Sequence, residues 1–353
     1  MSNVKVFGLT HYPPLSMQDA DMAGILRRTL QDPGIPAGLK NPASWPAPMQ
    51  QEWADDQASA SASEHRNALV AGLRRVRSDL DAFNPDVVLI WGDDQHENFQ
   101  EDLIPPYSVL CYNDLEVQPW LQAADSAMMA GKPNVWQEPP ETRRKIRGAP
   151  MIGRRLVENL LENGFDAAYA YKPLHHPGLA HAFLNTILYL DYDRSGFDWP
   201  VIAMPVNCYG RKVVGAKGFM TSMDDEIPPD PPSPPPRRLY DLGAQVARFF
   251  AQSGLRVALV SSSSWSHAFL VDHTHRLRPD TDADRRLYKA MAGDDHQTWL
   301  QTSLQQIEHA GQQELLNWFC GLGAANALGL QLAYSEFVET HCFNSNKVFA
   351  VWE

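Results

Sequence analysis

Between residues 63 and 83, apolar side chains recur at Leu69, Val70, Leu73, Val76, Leu80 and Phe83. That three- and four-residue spacing predicts an amphipathic helix. Asn84-Pro85 stops it, because a residue before proline is pushed out of the helical region. The unbroken run Val87-Val88-Leu89-Ile90-Trp91 follows. Such a run, with no polar alternation, predicts a strand covered on both faces. The same reading places strands at 4–10, 167–171, 201–206 and 257–262. It places helices at 151–163 (closed by Gly164), 239–250 and 312–328.

Strands alternating with helices predict an α/β fold, with a central mixed or mostly parallel sheet flanked by helices, as one domain over 1–353. Two stretches break the pattern. Residues from about 115 to 148 have no clear period and read as an excursion over the sheet. Residues 227–238, IPPDPPSPPPRR, read as a stiff polyproline-type connection, with a docking site for a proline-recognising partner as the alternative.

In sheets of this kind ligands collect beyond the carboxyl ends of the strands. The segments leaving the predicted strands are Thr10-His11, Gly92-Asp93-Asp94-Gln95-His96, Asn207 and the stretch 263–267. Histidines or carboxylates stand at three of these four exits.

Composition narrows the field without choosing within it. The 353 residues carry a net charge of −12, which opposes binding to nucleic acid or an anionic membrane. No run of about 18 apolar residues predicts a membrane span. The opening MSNVKVFGLTHYPPL lacks the features of a secretory signal. The scattered Cys111, Cys208, Cys320 and Cys342 fit a reducing compartment, so a cytoplasmic protein is expected.

The candidate chemistry lies in five motifs. His11, held by Tyr12-Pro13-Pro14, reads either as a ligand or as a solvated loop residue. In GDDQHENF (92–99), the carboxylates Asp93 and Asp94 either cap the next turn or join a metal site with their neighbours. SSSSWSHAFL (261–270) pairs small hydroxyls, Ser266 among them, with His267. It lacks the GxSxG elbow of a serine hydrolase, so a general acid/base histidine fits better. Glu314, in GQQELLNWF, is a carboxylate in an apolar helix, costly to bury unless paired or bound to a cation. LHHPGLAHAF clusters His175, His176 and His181 before an apolar helix. The pair His273 and His275 reads as a solvated surface stretch.

Taken in order, these motifs resemble the class III extradiol ring-cleavage dioxygenases, the family of protocatechuate 4,5-dioxygenase catalytic subunits. GLTHYPPL is similar to the family's opening strand and first ligand turn, and GDDQHENF to its second-ligand segment. LHHPGLAHAF resembles the segment that sets a histidine beside the substrate, matched by His176. SSSSWSHAF resembles the acid/base motif, matched by His267, and GQQELLNWF the helix supplying a carboxylate ligand, Glu314.

The resemblance implies a non-haem Fe(II) held by His11, a second histidine and Glu314, opening a catechol-type or dihydroxypyridine ring with dioxygen. Counted back from Phe99, the second histidine falls on Gln95, and His96 is one residue later. His96 is taken as the ligand, because imidazole binds divalent iron better than an amide does, with Gln95 as the substitute. His267 is implied as acid/base and His176 as a substrate contact, with Asp94, His181 and Ser266 lining the pocket. Arg143, Arg144, Lys145 and Arg147 read either as a solvated basic stretch or as contacts for a substrate carboxylate. A homodimer or larger assembly is implied, with a small aromatic diol and O2 as partners. The alternative is a non-catalytic member that binds a ligand or partner.

Overall fold

The computed structural model describes residues 2–124, 129–211 and 221–353. Ten strands are found among them: β1 (Val4–Leu9), β2 (Val87–Asp93), β3 (Ser108–Leu110), β4 (Leu115–Val117), β5 (Arg144–Ile146), β6 (Ala168–Ala170), β7 (Val201–Val206), β8 (Val257–Ser262), β9 (Leu332–Val338) and β10 (Lys347–Trp352). Eight form one sheet in the order β6-β3-β7-β2-β8-β1-β10-β9. The inner four, β7, β2, β8 and β1, run parallel, while β10 joins β1 antiparallel and β3 joins β7 antiparallel. The protein is therefore α/β, with a mostly parallel central sheet flanked by helices.

Strand periodicity divides the core. Val4 and Val6 of β1, with Val87, Leu89 and Trp91 of β2, face one layer; Phe7 and Leu9, with Val88 and Ile90, face the other. Both faces are apolar because both are covered, as expected of parallel strands. The helices Pro150–Glu162, Pro236–Ala251 and Leu315–Leu328 supply the first layer. Ser59–Phe83 and His181–Leu190 supply the second. Each large apolar side chain fully buried here contributes roughly 1.5–3 kcal/mol.

The predicted helix at 63–83 starts earlier, at Ser59, and ends at Asn84, which takes a left-handed conformation (φ 46°) and returns its N–H to Leu80 O. The helix expected at 239–250 starts at Pro236. Proline is tolerated at a first helical position, where no N–H is needed. The connection expected at 227–238 therefore gives its last residues to that helix.

Helix Pro236–Ala251 lies very close to Leu315–Leu328. A β-carbon at Gly243 would stand 1.9 Å from Cys320 O, and one at Gly323 would stand 1.9 Å from Tyr240 O. The backbones touch because both positions lack side chains.

The excursion is closed at its base by the antiparallel pair β4–β5, in which Leu115 opposes Ile146. Part of it, residues 125–128, lies outside the described residues. The antiparallel strands β9 and β10 are an addition to the predicted elements. No helix among the described residues is long and apolar enough to cross a membrane.

Candidate metal centre

The inner parallel strands end at one edge, and the polar residues leaving them meet there. His11 lies two residues beyond β1, and Asp93 is the last residue of β2. Between them β8 ends at Ser262, whose carbonyl and hydroxyl oxygens each lie 3.1 Å from His11 Nδ1. A carbonyl only accepts, so Nδ1 carries the proton and Nε2 holds the ring's lone pair.

That lone pair faces two carboxylate oxygens. Asp93 Oδ1 lies 3.3 Å from His11 Nε2, and Glu314 Oε2 lies 3.5 Å from it. Neither oxygen has a hydrogen-bond partner, and both are buried. Burial is the largest influence on His11 and lowers its pKa to about 4, so the imidazole is neutral near pH 7. Three potential ligand atoms thus converge with no protein donor between them, an arrangement that either a proton on a carboxyl or a bound cation relieves.

The outer oxygen of each carboxylate is occupied. Gln95 Nε2 donates to Asp93 Oδ2 at 3.0 Å and to Tyr209 Oη at 2.9 Å. Tyr209 in turn donates its hydroxyl proton to Glu314 Oε1. One hydrogen-bonded chain therefore ties back both outer oxygens and leaves the inner pair toward His11. Burial, with Asp93 close by, pushes the Glu314 pKa well above the usual carboxylate range. A carboxyl group in that state holds a proton that a bound cation would have to displace.

A fourth donor comes from the opposite layer. His181 opens the helix His181–Leu190, and its ring meets that of His11 edge-on at 5.3 Å. Its Nδ1 lies 2.7 Å from Glu97 Oε2, and Glu97 Oε1 accepts the His181 backbone N–H. Nδ1 is therefore the donor, and Nε2 is the nitrogen that would turn to a metal once its proton is displaced. Burial opposes charge on His181, but Glu97, Asp93 and Glu314 together raise its pKa to about 10. Those carboxylates leave the site eager for positive charge.

His11, Asp93 and His181 bring ligand atoms within 4.8 Å of one another, the spacing of a group that could hold one metal ion. Glu314 joins this group at His11. Two imidazoles and two carboxylates, with orphaned oxygens between them, fit a divalent first-row ion.

His267 completes the pocket. Its Nε2 lies 3.3 Å from Glu314 Oε1, and its Nδ1 is buried without a partner. Burial, followed by His11 nearby, lowers its pKa to about 3, so it stands as a neutral base.

The structure places several sequence candidates elsewhere. His96 sits in a left-handed turn (φ 63°), and its Nε2 lies 2.9 Å from Glu101 Oε2. It is not in the group around His11, since the turn aims it away from the strand end. Gln95 does reach that group, as an amide donor to Asp93 and Tyr209.

Asp94 is turned inward on its own loop, accepting the backbone N–H groups of Glu97, Asn98 and Phe99. Its pKa is raised to about 6 by burial and then by Glu97. Ser266 is fully buried; its hydroxyl donates to Ala310 O at 2.5 Å and accepts the Asp280 N–H at 2.8 Å. It therefore presents nothing to a pocket.

His176 is half-buried and close enough to Glu97 to help lower that carboxyl's pKa, alongside His181. In the excursion Arg143 pairs with Glu116, Arg144 with Glu138 and Lys145 with Asp114, and Arg147 donates to Asp198 O. These partners engage all four basic side chains locally, although Arg144 Nε is buried without one.

The sequence leaves Asp93 open between a turn cap and a metal site, and it does not mark Glu97 as the partner of His181 or Tyr209 as a contributor. The position of Asp93, ending a parallel strand, was the available signal. Nothing local marks Tyr209.

Comparison with known proteins gives partial likenesses. Over 196 residues (55% of the chain) the sequence is 24% identical to a protein of Pseudomonas putida named 2,3-dihydroxyphenylpropionate/2,3-dihydroxicinnamic acid 1,2-dioxygenase 2. Over 197 residues (56%) it is 23% identical to the similarly named 1,2-dioxygenase of Azotobacter vinelandii. The chain spans about half the length of these curated relatives, 48% in each case. No family model matches. An uncharacterized protein from Escherichia coli K12, of known crystal structure, aligns with 13% identity and a TM-score of 0.44, covering 80% of this chain and 91% of that one.

Proposed function

We propose that this protein is a non-haem Fe(II)-dependent dioxygenase that opens a catechol-type ring beside its diol, in the manner of the class III extradiol enzymes. The observation that carries the reading is the convergence of His11 Nε2, Asp93 Oδ1 and Glu314 Oε2, three buried ligand atoms with no protein donor between them. The partial similarity to proteins named as dioxygenases of dihydroxyphenyl acids supports it.

In this reading His11, Asp93, His181 and Glu314 are the residues that would hold the iron. Bound there, the ion would supply Lewis acidity and a meeting point for a diol and O2. The chain's own groups then manage protons and orientation. His267 is neutral and next to Glu314, so in this reading its imidazole would take the proton of a substrate hydroxyl made acidic by the bound cation, and return it later. Glu97 holds the His181 ring in one tautomer, as Ser262 does for His11. His176, near Glu97, would hydrogen-bond the substrate.

The test is anaerobic loading with Fe(II), then oxygen uptake with a panel of catechols that includes 2,3-dihydroxyphenylpropionate. Uptake and a coloured ring-opened product are expected with at least one substrate. Stoichiometric iron without uptake on any substrate refutes the reading.

A second reading follows from Gln95, which stands where the resembled family has its second histidine: a non-catalytic binding protein. Metal analysis separates the two, because that protein would carry far less than one iron per chain.

A further inference from the structure

Helix Thr281–Ala292 carries a carboxylate, Asp284, that is completely buried and lies outside the candidate ligand set. Its hydrogen-bond donors come from three separate segments. The Ser266 N–H approaches both oxygens, at 3.1 and 3.0 Å. Gln312 Nε2 donates to Oδ1 at 2.7 Å, and Asn346 Nδ2 donates to Oδ2 at 2.8 Å.

Each donor sits beside a residue of interest. Ser266 immediately precedes His267, and Gln312 stands two residues before Glu314. Asn346 follows Ser345, which forms a β-bridge with His267. The His267 and Glu314 turns also touch through their backbones, His267 N–H donating to Gly311 O at 2.8 Å. Gly311 (φ +66°) permits that approach, since a β-carbon there would lie 2.7 Å from His267 O.

These donors are neutral amides. Burying a carboxylate among neutral donors is costly compared with packing an apolar side chain of similar volume. What the carboxylate supplies is direction, because N–H groups from three segments must converge on its two oxygens.

We infer that Asp284 is a positioning residue, whose carboxylate sets the His267 turn against the Glu314 turn and so fixes the spacing of those two side chains. Its effect on metal binding rests on the proposed function; its effect on the two turns does not.

The test uses the full chain and two readouts. Hydrogen–deuterium exchange of the metal-free protein follows peptides covering residues 263–268, 310–316 and 87–93, the last reporting on β2. Titration with Co(II), followed by its visible absorption, reads affinity and coordination. Asp284→Asn keeps the shape but turns an NH2 group toward the donors. Asp282→Asn, an exposed neighbour on the same helix, is the control.

In Asp284→Asn, exchange is expected to rise roughly tenfold in both turns together and not in β2. Co(II) affinity is expected to fall roughly tenfold, with an altered spectrum. Unchanged exchange in both turns, or an equal rise in β2, overturns the inference. Should Asp284→Asn fail to fold, Gln312→Met removes one donor; exchange must then rise at 310–316, and no rise counts against the inference. If the wild-type protein binds no Co(II), the proposed function fails, and the exchange results alone decide the role of Asp284.

Discussion

Gln95 Nε2 donates to Asp93 Oδ2 at 3.0 Å, and the opposite oxygen of the same carboxylate is the one that faces His11. A residue that the sequence offered as a substitute ligand thus orients its neighbour two positions earlier. The same amide reaches Tyr209 and, through it, Glu314.

Gln95→Leu removes the donor shared by Asp93 and Tyr209. Loss of such an orienting partner lowers metal affinity by roughly 10- to 100-fold. Isothermal titration with Co(II) or Fe(II) checks this. Gln95→His gives the contrasting result: if the side chain orients rather than binds, the imidazole weakens the site. Tighter binding in Gln95→His would restore the direct-ligand assignment.

His11→Ala and His96→Ala separate the two histidines. His11→Ala removes the nitrogen at the centre of the converging acceptors and is expected to abolish stoichiometric metal. His96→Ala removes only a contact with an exposed glutamate, and surface pairs of that kind contribute at most about 1 kcal/mol. Metal content per chain, measured on both variants after identical loading, should be near zero in the first and near wild type in the second.

Asp284 should contribute a loss of stability as pH rises from about 4 to about 7, against the opposite contributions of His11 and His267. Its folded-state pKa is raised from 3.8 to about 7, with burial as the first cause. Across that window the folded form keeps a proton that the unfolded chain has released, so rising pH favours unfolding. Above the window the penalty is constant. Urea denaturation at a series of pH values should show a less negative slope of stability against pH for Asp284→Asn, and identical slopes would contradict the assignment.

Gly243→Ala is expected to destabilise the fold by more than about 2 kcal/mol, since its β-carbon would meet the Cys320 carbonyl at 1.9 Å and a backbone must move. Thermal melting of this variant beside Gly24→Ala, where nothing lies within 4 Å, separates overpacking from any general effect of alanine.

Much of the frame was legible from periodicity. The run from Val87 to Trp91 has no polar interruption because both its faces are covered, and it forms a strand between two parallel neighbours. β9 and β10 were harder to find, since antiparallel additions at the rim depend on partners distant in sequence. His11 and Glu314 were also legible: one ends a strand turn, and the other is a carboxylate in apolar surroundings with no local partner.

The remaining corners were decided by tertiary structure. Which residue of Asp93-Asp94-Gln95-His96 points into the site depends on where the strand stops and how the turn twists, and β2 extends through Asp93 itself. His181 comes from the helix layer on the opposite face from Glu314, and no spacing along the chain relates it to His11. The local sequence determined that polar groups would gather at the carboxyl edge of a buried sheet. Only the folded chain could select the set, because ligand convergence depends on distances between residues that stand from 82 positions (His11 to Asp93) to 303 positions (His11 to Glu314) apart.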